Sequence, residues 1–369
     1  MENETDVLSK SIALIMAGGK GTRLWPESTS KRPKQYLSIG SGDGLLTSSL
    51  KRLDTLVDVN NRFIITTKSQ AGLVVEHCNN LIGKNGIIFE PLGRNTAPCI
   101  LLSLAYLKSL KFSPSSTISI LPSDHVILDT KSFQTKLKDA QEYAFRNSKI
   151  VTIGIKPHFP HIGFGYIQKG KQSNQENFYS VSSFKEKPDK ETAIKYLQSG
   201  EYFWNSGMFI SRFDVLVNEF LEHAPHLFDH FEELCRIYSQ KNIDENKLKA
   251  VYESLEKISI DYAVMEKSRN IHLTPATFDW NDLGSWDALE GVVSRENDNY
   301  VLDSLECDFI NSKDNIIHAP GKYIALRDVN DMVIVNNDKV LMILPKKSSQ
   351  KVSKFVENIK SKNIREDLV

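Results

Sequence analysis

Between residues 12 and 155 the chain alternates short apolar runs with stretches of helical apolar spacing, and no other feature narrows its fold so far. Residues 12–16, 62–67, 86–89, 117–121 and 150–155 read as strands. Residues 45–57, 70–81, 97–110 and 133–146 read as amphipathic helices between them. This alternation predicts βαβ units and a central sheet that is mostly parallel, an α/β class of fold. Sheets of this kind bind ligands at the carboxyl ends of their strands. Three loops follow such ends: the glycine-rich segment after Met16, "EPLGRNTAP" and "PSDH". Residues 163–210 read as an inserted antiparallel layer with a helix over 190–197, followed by helices around 213–222, 227–240 and 247–255. From 299 to about 345 the pattern changes to apolar triplets and quartets separated by polar turns. That suggests short β-coils in a second, small domain closed by a helix over 350–360. No fixed repeat is visible there, and an antiparallel meander is the alternative. The expected domains are 1–292 and 293–369.

With 369 residues the chain is long enough for more than one core. Its 46 basic and 46 acidic side chains cancel. A zero balance argues against a general binder of nucleic acid or anionic membrane, but not against a small anion held by a local cluster. Cys78, Cys99, Cys235 and Cys307 form no C-x-x-C pair, so they read as reduced thiols rather than a zinc or redox site. The opening "MENETDVLSK" is polar and unlike a signal peptide. No apolar run reaches the ~20 residues of a membrane-spanning helix. The expected compartment is the cytoplasm.

The segment "MAGGKGTRLWPESTSKRPKQYL", residues 16–37, concentrates glycine and positive charge just past a buried strand. Gly18, Gly19 and Gly21 let backbone N–H groups come close to a ligand, and such loops bind anions. The spacing is neither G-x-G-x-x-G nor G-x-x-x-x-G-K-[ST], which disfavours a dinucleotide oxidoreductase and a P-loop ATPase. Arg23 and Lys34 are the charges expected to meet phosphate, with Pro33 stiffening the return. Lys20, Lys31 and Arg32 read as solvated.

Seven further strings complete a pattern. "GGKGTRLWP" followed by "KRPKQYL" resembles the signature of the sugar-1-phosphate nucleotidyltransferase family. "GRNTAP" (93–98), "LPSDH" (121–125), "GFGYI" (163–167), "FKEKP" (184–188), "WNSGMFI" (204–210), "SIDYAVMEK" (259–267) and "DWNDLGSW" (279–286) follow in order. Together they look like the bacterial mannose-1-phosphate guanylyltransferases, from about residue 12 to at least 292. Glu27 and Lys185 depart from the usual pattern. The resemblance implies a Rossmann-like nucleotidyltransferase domain plus a small C-terminal β-rich, left-handed β-helix-like domain. Long members carry an isomerase domain for which this chain has no room. The implied reaction is transfer of GMP from GTP to α-D-mannose 1-phosphate, with Mg²⁺ as cofactor and pyrophosphate as the second product.

Carried onto this sequence, the resemblance assigns Arg23 to the pyrophosphate and Lys34 to the α-phosphate. It pairs Asp124 with Asp282 around the metal. From the residues alone each aspartate reads as well as a helix N-cap, with Asp279 as competitor to Asp282 and His125 as structural. Gly18, Gly19, Gly21, Thr22, Arg23 and Ser123 would line the nucleotide, and Arg94, Asn95, Thr96 and Ala97 its base. Glu186 and Asn205 would read sugar hydroxyls and Lys187 the sugar phosphate, with Gly165 and Tyr166 beside the ring. The same chemistry on another sugar phosphate, such as a manno-heptose 1-phosphate, is one alternative. A non-catalytic nucleotide-sugar-binding regulator is a second, and a D-x-D glycosyltransferase is the least supported. Neither nucleic acid nor membrane is an expected partner; a homodimer through the C-terminal domain is.

Overall fold

The computed structural model describes residues 11–19, 21–39, 42–362 and 365–369, so Lys20 lies outside the described residues. The chain forms two compact units that interleave along the sequence. Unit 1 takes the described residues up to Gly18, then Leu50–Pro122 and Asp129–Asp279; unit 2 takes Gly19–Ser49, Ser123–Leu128 and Trp280–Val369.

Unit 1 is built on a nine-stranded sheet. Its strands are β1 (Ile12–Met16), β2 (Arg62–Thr67), β3 (Ile87–Glu90), β4 (Thr117–Pro122), β5 (Ile150–Ile155), β6 (Tyr166–Gln172), β7 (Tyr179–Lys185), β8 (Tyr202–Arg212) and β9 (Ile271–Pro275). The order is β3-β2-β1-β4-β8-β5-β9-β7-β6. β1, β2, β3 and β4 run parallel, as do β5 and β9. Their apolar runs, such as "IALIM" in β1, are covered on both faces, which is what a parallel sheet requires. The helix Thr96–Ser109 is apolar around nearly its whole circumference and is buried accordingly. Thr130–Asn147 is amphipathic and starts where the Asp129 carboxylate accepts from the Ser132 N–H at 3.0 Å.

Three expectations are corrected here. Residues 163–210 do not form a separate layer. β8 is 11 residues long; its far end pairs antiparallel with β4, its near end with β6, and β5 pairs with both ends, so the inserted strands join the main sheet. The helix expected over 227–240 is two pieces, Pro225–Phe228 and Phe231–Tyr238. The helix expected over 45–57 stops at Lys51 and continues as turns.

Unit 2 packs Leu24, Trp25, Leu37, Val126, Leu283 and Trp286 with Val333, Val335, Leu344 and Val356. Its five-stranded sheet runs β10 (Arg295–Glu296), β11 (Asn299–Ile310), β12 (Ile316–Arg327), β13 (Met332–Asn336) and β14 (Leu341–Pro345). β11, β12 and β13 pair in parallel, so the meander is excluded for them; only the end pairs are antiparallel. Successive strands are stacked through buried asparagines. The Asn315 amide donates to Asn299 Oδ1 at 2.8 Å and to the Val329 carbonyl at 2.7 Å, while its Oδ1 accepts from the Met332 N–H at 3.0 Å. Asp298, Asp314 and Asp331 turn the chain with φ of 63°, 57° and 55°. A polar residue with a short side chain is what tolerates that left-handed backbone. The closing helix is Ser353–Ser361.

Asn315→Ala should strand its partners on Asn299, Val329 and Met332 and lower stability by about 2 kcal/mol, the cost of leaving buried polar groups unpaired. Leu221, 53% exposed, serves as the control, since Leu221→Ser should change little. Urea unfolding midpoints check both.

Candidate active site

In unit 2 the glycine loop is shaped around one lysine. Gly21 has φ 62°, and a Cβ there would lie 2.2 Å from the Lys34 Cβ. Only glycine permits both the backbone turn and the lysine's approach. Pro33 leads into the short turn Lys34–Tyr36, which is buried. Lys34 is only 7% exposed. Its ammonium donates to Asp124 Oδ2 at 2.7 Å and to the backbone carbonyl of Asp282 at 2.5 Å. Gly19 is different: nothing lies within 4 Å of where its Cβ would point.

The segments that carry Asp124 and Asp282 are hydrogen-bonded to each other. Val126 and Asn281 exchange N–H···O bonds at 2.9 and 3.0 Å in an isolated antiparallel bridge. The Asn281 side chain fixes the turn that follows, accepting from the Leu283 N–H and donating to the Ala288 carbonyl. Asp282 Oδ1 accepts from the Gly284 N–H at 3.2 Å. Burial pushes the Asp124 carboxyl up, but the Lys34 ammonium and His125 outweigh it and hold the group below the usual carboxylate value. His125 Nδ1 accepts from the Trp280 indole at 3.1 Å, a structural bond. Asp279 belongs to unit 1, where its Oδ1 accepts from the Asp129 N–H at 2.6 Å. Among the described residues no group of three or more metal-ligating side chains converges. Asp124 and Asp282 could supply carboxylate oxygens to Mg²⁺, a hard cation that takes most of its remaining ligands from phosphates and water.

Arg23 is exposed at the start of the loop, and its Nη1 donates to Gln350 Oε1 at 3.1 Å. Thr22 precedes it in the same short turn. Ser123 is buried and its carbonyl accepts from the Ser49 hydroxyl. Glu27, a departure from the sequence pattern, lies 3.4 Å from the Arg32 guanidinium and 3.7 Å from His318 Nε2. Burial raises its carboxyl, and His318, Asn337 and Arg32 together more than reverse this.

Unit 1 holds the second cluster. A Cβ on Gly165 would lie 2.3 Å from Glu186 Oε2 and 3.2 Å from the Asn205 Cβ, so glycine there lets three residues converge. Lys187 Nζ is 2.8 Å from Glu186 Oε1, and its backbone sits at φ 47°. A lysine in that region is a strained position of the kind found at ligand sites. Asn205 Oδ1 accepts from the Gly207 N–H at 3.0 Å and Nδ2 donates to Asp261 Oδ1 at 2.8 Å. One hydrogen and one lone pair of the amide are left for a ligand. Tyr166 is fully buried and its hydroxyl donates to the His161 carbonyl, so its ring backs the strand. Sequence reading missed Asp261. Its signal was a carboxylate inside "SIDYAVMEK" opening a one-turn π-helix, Asp261–Met265, a rare element that often marks function.

The loop after β3 makes mostly structural bonds. The Arg94 guanidinium donates to the carbonyls of Glu253 and Leu255. Asn95, at φ 70°, caps the helix by accepting from the Thr96 N–H; Thr96 Oγ1 accepts from the Ile260 N–H, and the Ala97 N–H donates to the Ile258 carbonyl. Glu90, also missed, is buried with Oε2 accepting from the Tyr252 hydroxyl at 2.7 Å. Burial raises its carboxyl. Gly18 faces it: a Cβ there would lie 3.2 Å from Glu90 Oε1.

Burial, and then the charge of Glu186, push the Asp261 carboxyl up to about 6. Its folded value exceeds the ordinary 3.8, so the folded state binds the proton more tightly and loses stability as pH rises through this window. Asn at 261 still accepts from Asn205 and does not titrate. Asp261→Asn should therefore gain on the wild type by about 3 kcal/mol between acid and neutral pH and hold level above it. Urea unfolding across this pH range checks the sign.

A family model described as nucleotidyl transferase matches residues 12–298. The chain is 36% identical over 362 residues to the mannose-1-phosphate guanylyltransferase of Salmonella muenchen, covering 97% of this chain and 75% of that protein. It is 34% identical over 366 residues to that of Escherichia coli K12, covering 96% and 74%. Among solved structures, one described as a mannose-1-phosphate geranyltransferase from Thermus thermophilus superimposes with a TM-score of 0.86 at 30% identity, covering 95% of this chain and 99% of that one. The glycine loop, the Lys34 contacts and the Glu186–Asn205 cluster lie within the matched span, and the chain belongs to the nucleotidyl transferase family, among its mannose-1-phosphate guanylyltransferases.

Proposed function

We propose that the protein transfers GMP from GTP to α-D-mannose 1-phosphate, releasing pyrophosphate and forming GDP-mannose. The observation that carries this reading is the Lys34 ammonium bound to both the Asp124 carboxylate and the Asp282 carbonyl, within a chain 36% identical to a guanylyltransferase. The nucleophile is a phosphate oxygen. A phosphate monoester has its second pKa near ~6, so it is ionised at neutral pH and needs no general base. The barrier lies in bringing two polyanions together and neutralising the leaving pyrophosphate, so positioning and electrostatics carry the catalysis.

Lys34 would steady the α-phosphate and Arg23 the departing pyrophosphate. Gly18, Gly19, Gly21 and Thr22 offer backbone to the nucleotide, with Gly19 pointing at open space. Asp124 and Asp282 would hold Mg²⁺, which when bound neutralises phosphate charge. Glu186 would accept from sugar hydroxyls, Asn205 would add the donor and acceptor its own bonds leave over, and Lys187, exposed, would reach the sugar phosphate. For the loop after β3 the reading is indirect: Arg94, Asn95, Thr96 and Ala97 would shape the base pocket through backbone.

The finer architecture belongs to the same reading. Parallel β11–β12–β13, the asparagine stack and left-handed turns at Asp298, Asp314 and Asp331 are what a β-helix-like coil needs. Residues 293–369 would be that domain, 1–292 the transferase domain, and exposed Leu305 and Tyr323 the apolar surface of a homodimer. GTP as substrate fits an enzyme of the cytoplasm.

Pyrophosphate release tests the proposal. The wild type should turn over GTP with mannose 1-phosphate only with Mg²⁺. Arg23→Ala and Asp282→Asn should each lose on the order of 10²-fold in rate, as other single electrostatic groups do. Full rate with a manno-heptose 1-phosphate and little with mannose 1-phosphate would move the assignment to that sugar. No release with any sugar phosphate would leave a nucleotide-sugar-binding regulator.

A further inference from the structure

Arg23 ends a polarised chain of hydrogen bonds within unit 2. The Ser285 hydroxyl donates to Asp287 Oδ1. Having one proton, it can then only accept, and it accepts from Gln350 Nε2 at 2.6 Å. The Gln350 amide is thereby oriented, and its Oε1 faces the Arg23 Nη1 at 3.1 Å. The Asp287 carboxylate thus sets, two bonds away, which end of the Gln350 amide meets the arginine. Gln350 lies in the turn Lys346–Lys351 after β14, 327 residues from Arg23 along the chain.

We propose that Gln350 is a positioning residue for Arg23: a neutral acceptor, oriented by Ser285 and Asp287, that orders the guanidinium without cancelling its charge. The inference rests on the reading of Arg23 as the pyrophosphate-binding arginine. A neutral partner suits that task. An exposed arginine samples many rotamers, and fixing one beforehand lowers the cost of binding. A carboxylate in the same place would order it equally well, but would form an ion pair that the incoming triphosphate must break.

Two substitutions separate these effects. Gln350→Ala should raise the Kd for GTP, measured by calorimetry without sugar phosphate, by about three- to tenfold, the cost of ordering one long side chain. In an Arg23→Ala background the same change should do nothing further. Gln350→Glu should raise the KM for GTP in the pyrophosphate-release assay by about tenfold at low salt, and the penalty should shrink as salt is added, because the new charge is exposed. The melting temperature of both variants should stay at the wild-type value. A Gln350→Ala effect that persists undiminished in the Arg23→Ala background overturns the proposal, as does a Gln350→Glu enzyme with wild-type KM at all salt concentrations. If Arg23→Ala alone leaves GTP binding and turnover intact, the reading of Arg23 fails first, and this proposal with it.

Discussion

A buried lysine held by one carboxylate and one backbone carbonyl is the constraint on which the candidate phosphate site depends. Lys34 is nearly out of solvent, and an ammonium so placed needs charged or strongly polar partners. It finds Asp124 and the Asp282 carbonyl. Both segments are brought to it by the Val126–Asn281 bridge, and its own approach is possible because residue 21 has no Cβ. The charge balance of this group has a chemical consequence. The Lys34 ammonium and the Asp124 carboxylate sum to zero, so the pair by itself offers a polyanion no net attraction. A divalent cation would add the missing positive charge, which is a physical reason for the metal dependence proposed above.

The glycine loop is also framed by the end of the chain. The Trp25 indole donates to the Leu368 carbonyl at 2.7 Å, the Trp286 indole to the Trp25 carbonyl at 3.0 Å, and the Asn337 amide to the Pro26 carbonyl at 3.2 Å. The Ser30 hydroxyl donates to the Val369 carbonyl at 2.6 Å. Residues after 293 therefore share a core and a hydrogen-bond network with the loop that carries Arg23 and Lys34. This is why the compact units interleave, whereas a division drawn along the sequence separates residues 293–369 from the rest. The β-rich tail thus touches the glycine loop directly, at Trp25 through Leu368 and at Arg23 through Gln350.

The alternation of strands and helices was legible in the sequence because burial on both faces of a parallel sheet forces continuous apolar runs, as in β1, β4 and β5. The long β8 was not read as a bridge, since β5 runs along it while β4 takes one end and β6 the other, and nothing in its own composition marks the change. The spacing of the parallel strands β11–β13 escaped because it is carried by asparagine and aspartate, not by apolar residues. Asp298–Asn299 and Asp314–Asn315 recur 16 residues apart, and Met332 takes the next place after 17. Among the candidate residues, Arg23, Lys34 and Asp124 of unit 2 and Glu186 of unit 1 stood out as charges at loops. Asp261 and Glu90 did not, because a buried carboxylate inside an apolar string looks like any other exposed charge until its neighbours are known.

Those two hidden carboxylates differ in what surrounds them. Glu90 has the Tyr252 hydroxyl and little counter-charge, so burial dominates and its proton is held more firmly. Asp261 has the Asn205 amide on one oxygen and the anionic Glu186 as a neighbour, with Lys187 only partly offsetting it. Two carboxylates competing for one ammonium form a cluster that gains from any neutral donor brought to it. Sugar hydroxyls are donors of that kind and add no charge, which is a physical reason for the role proposed above for Glu186. A sugar phosphate would add charge of its own, and the exposed Lys187 is the cation that the proposed reading sets against it. Lys187 takes a left-handed backbone with its ammonium beside Glu186, and the missing Cβ at Gly165 lets Glu186 and Asn205 close up against each other, so the proposed sugar cluster rests on one strained residue and one glycine.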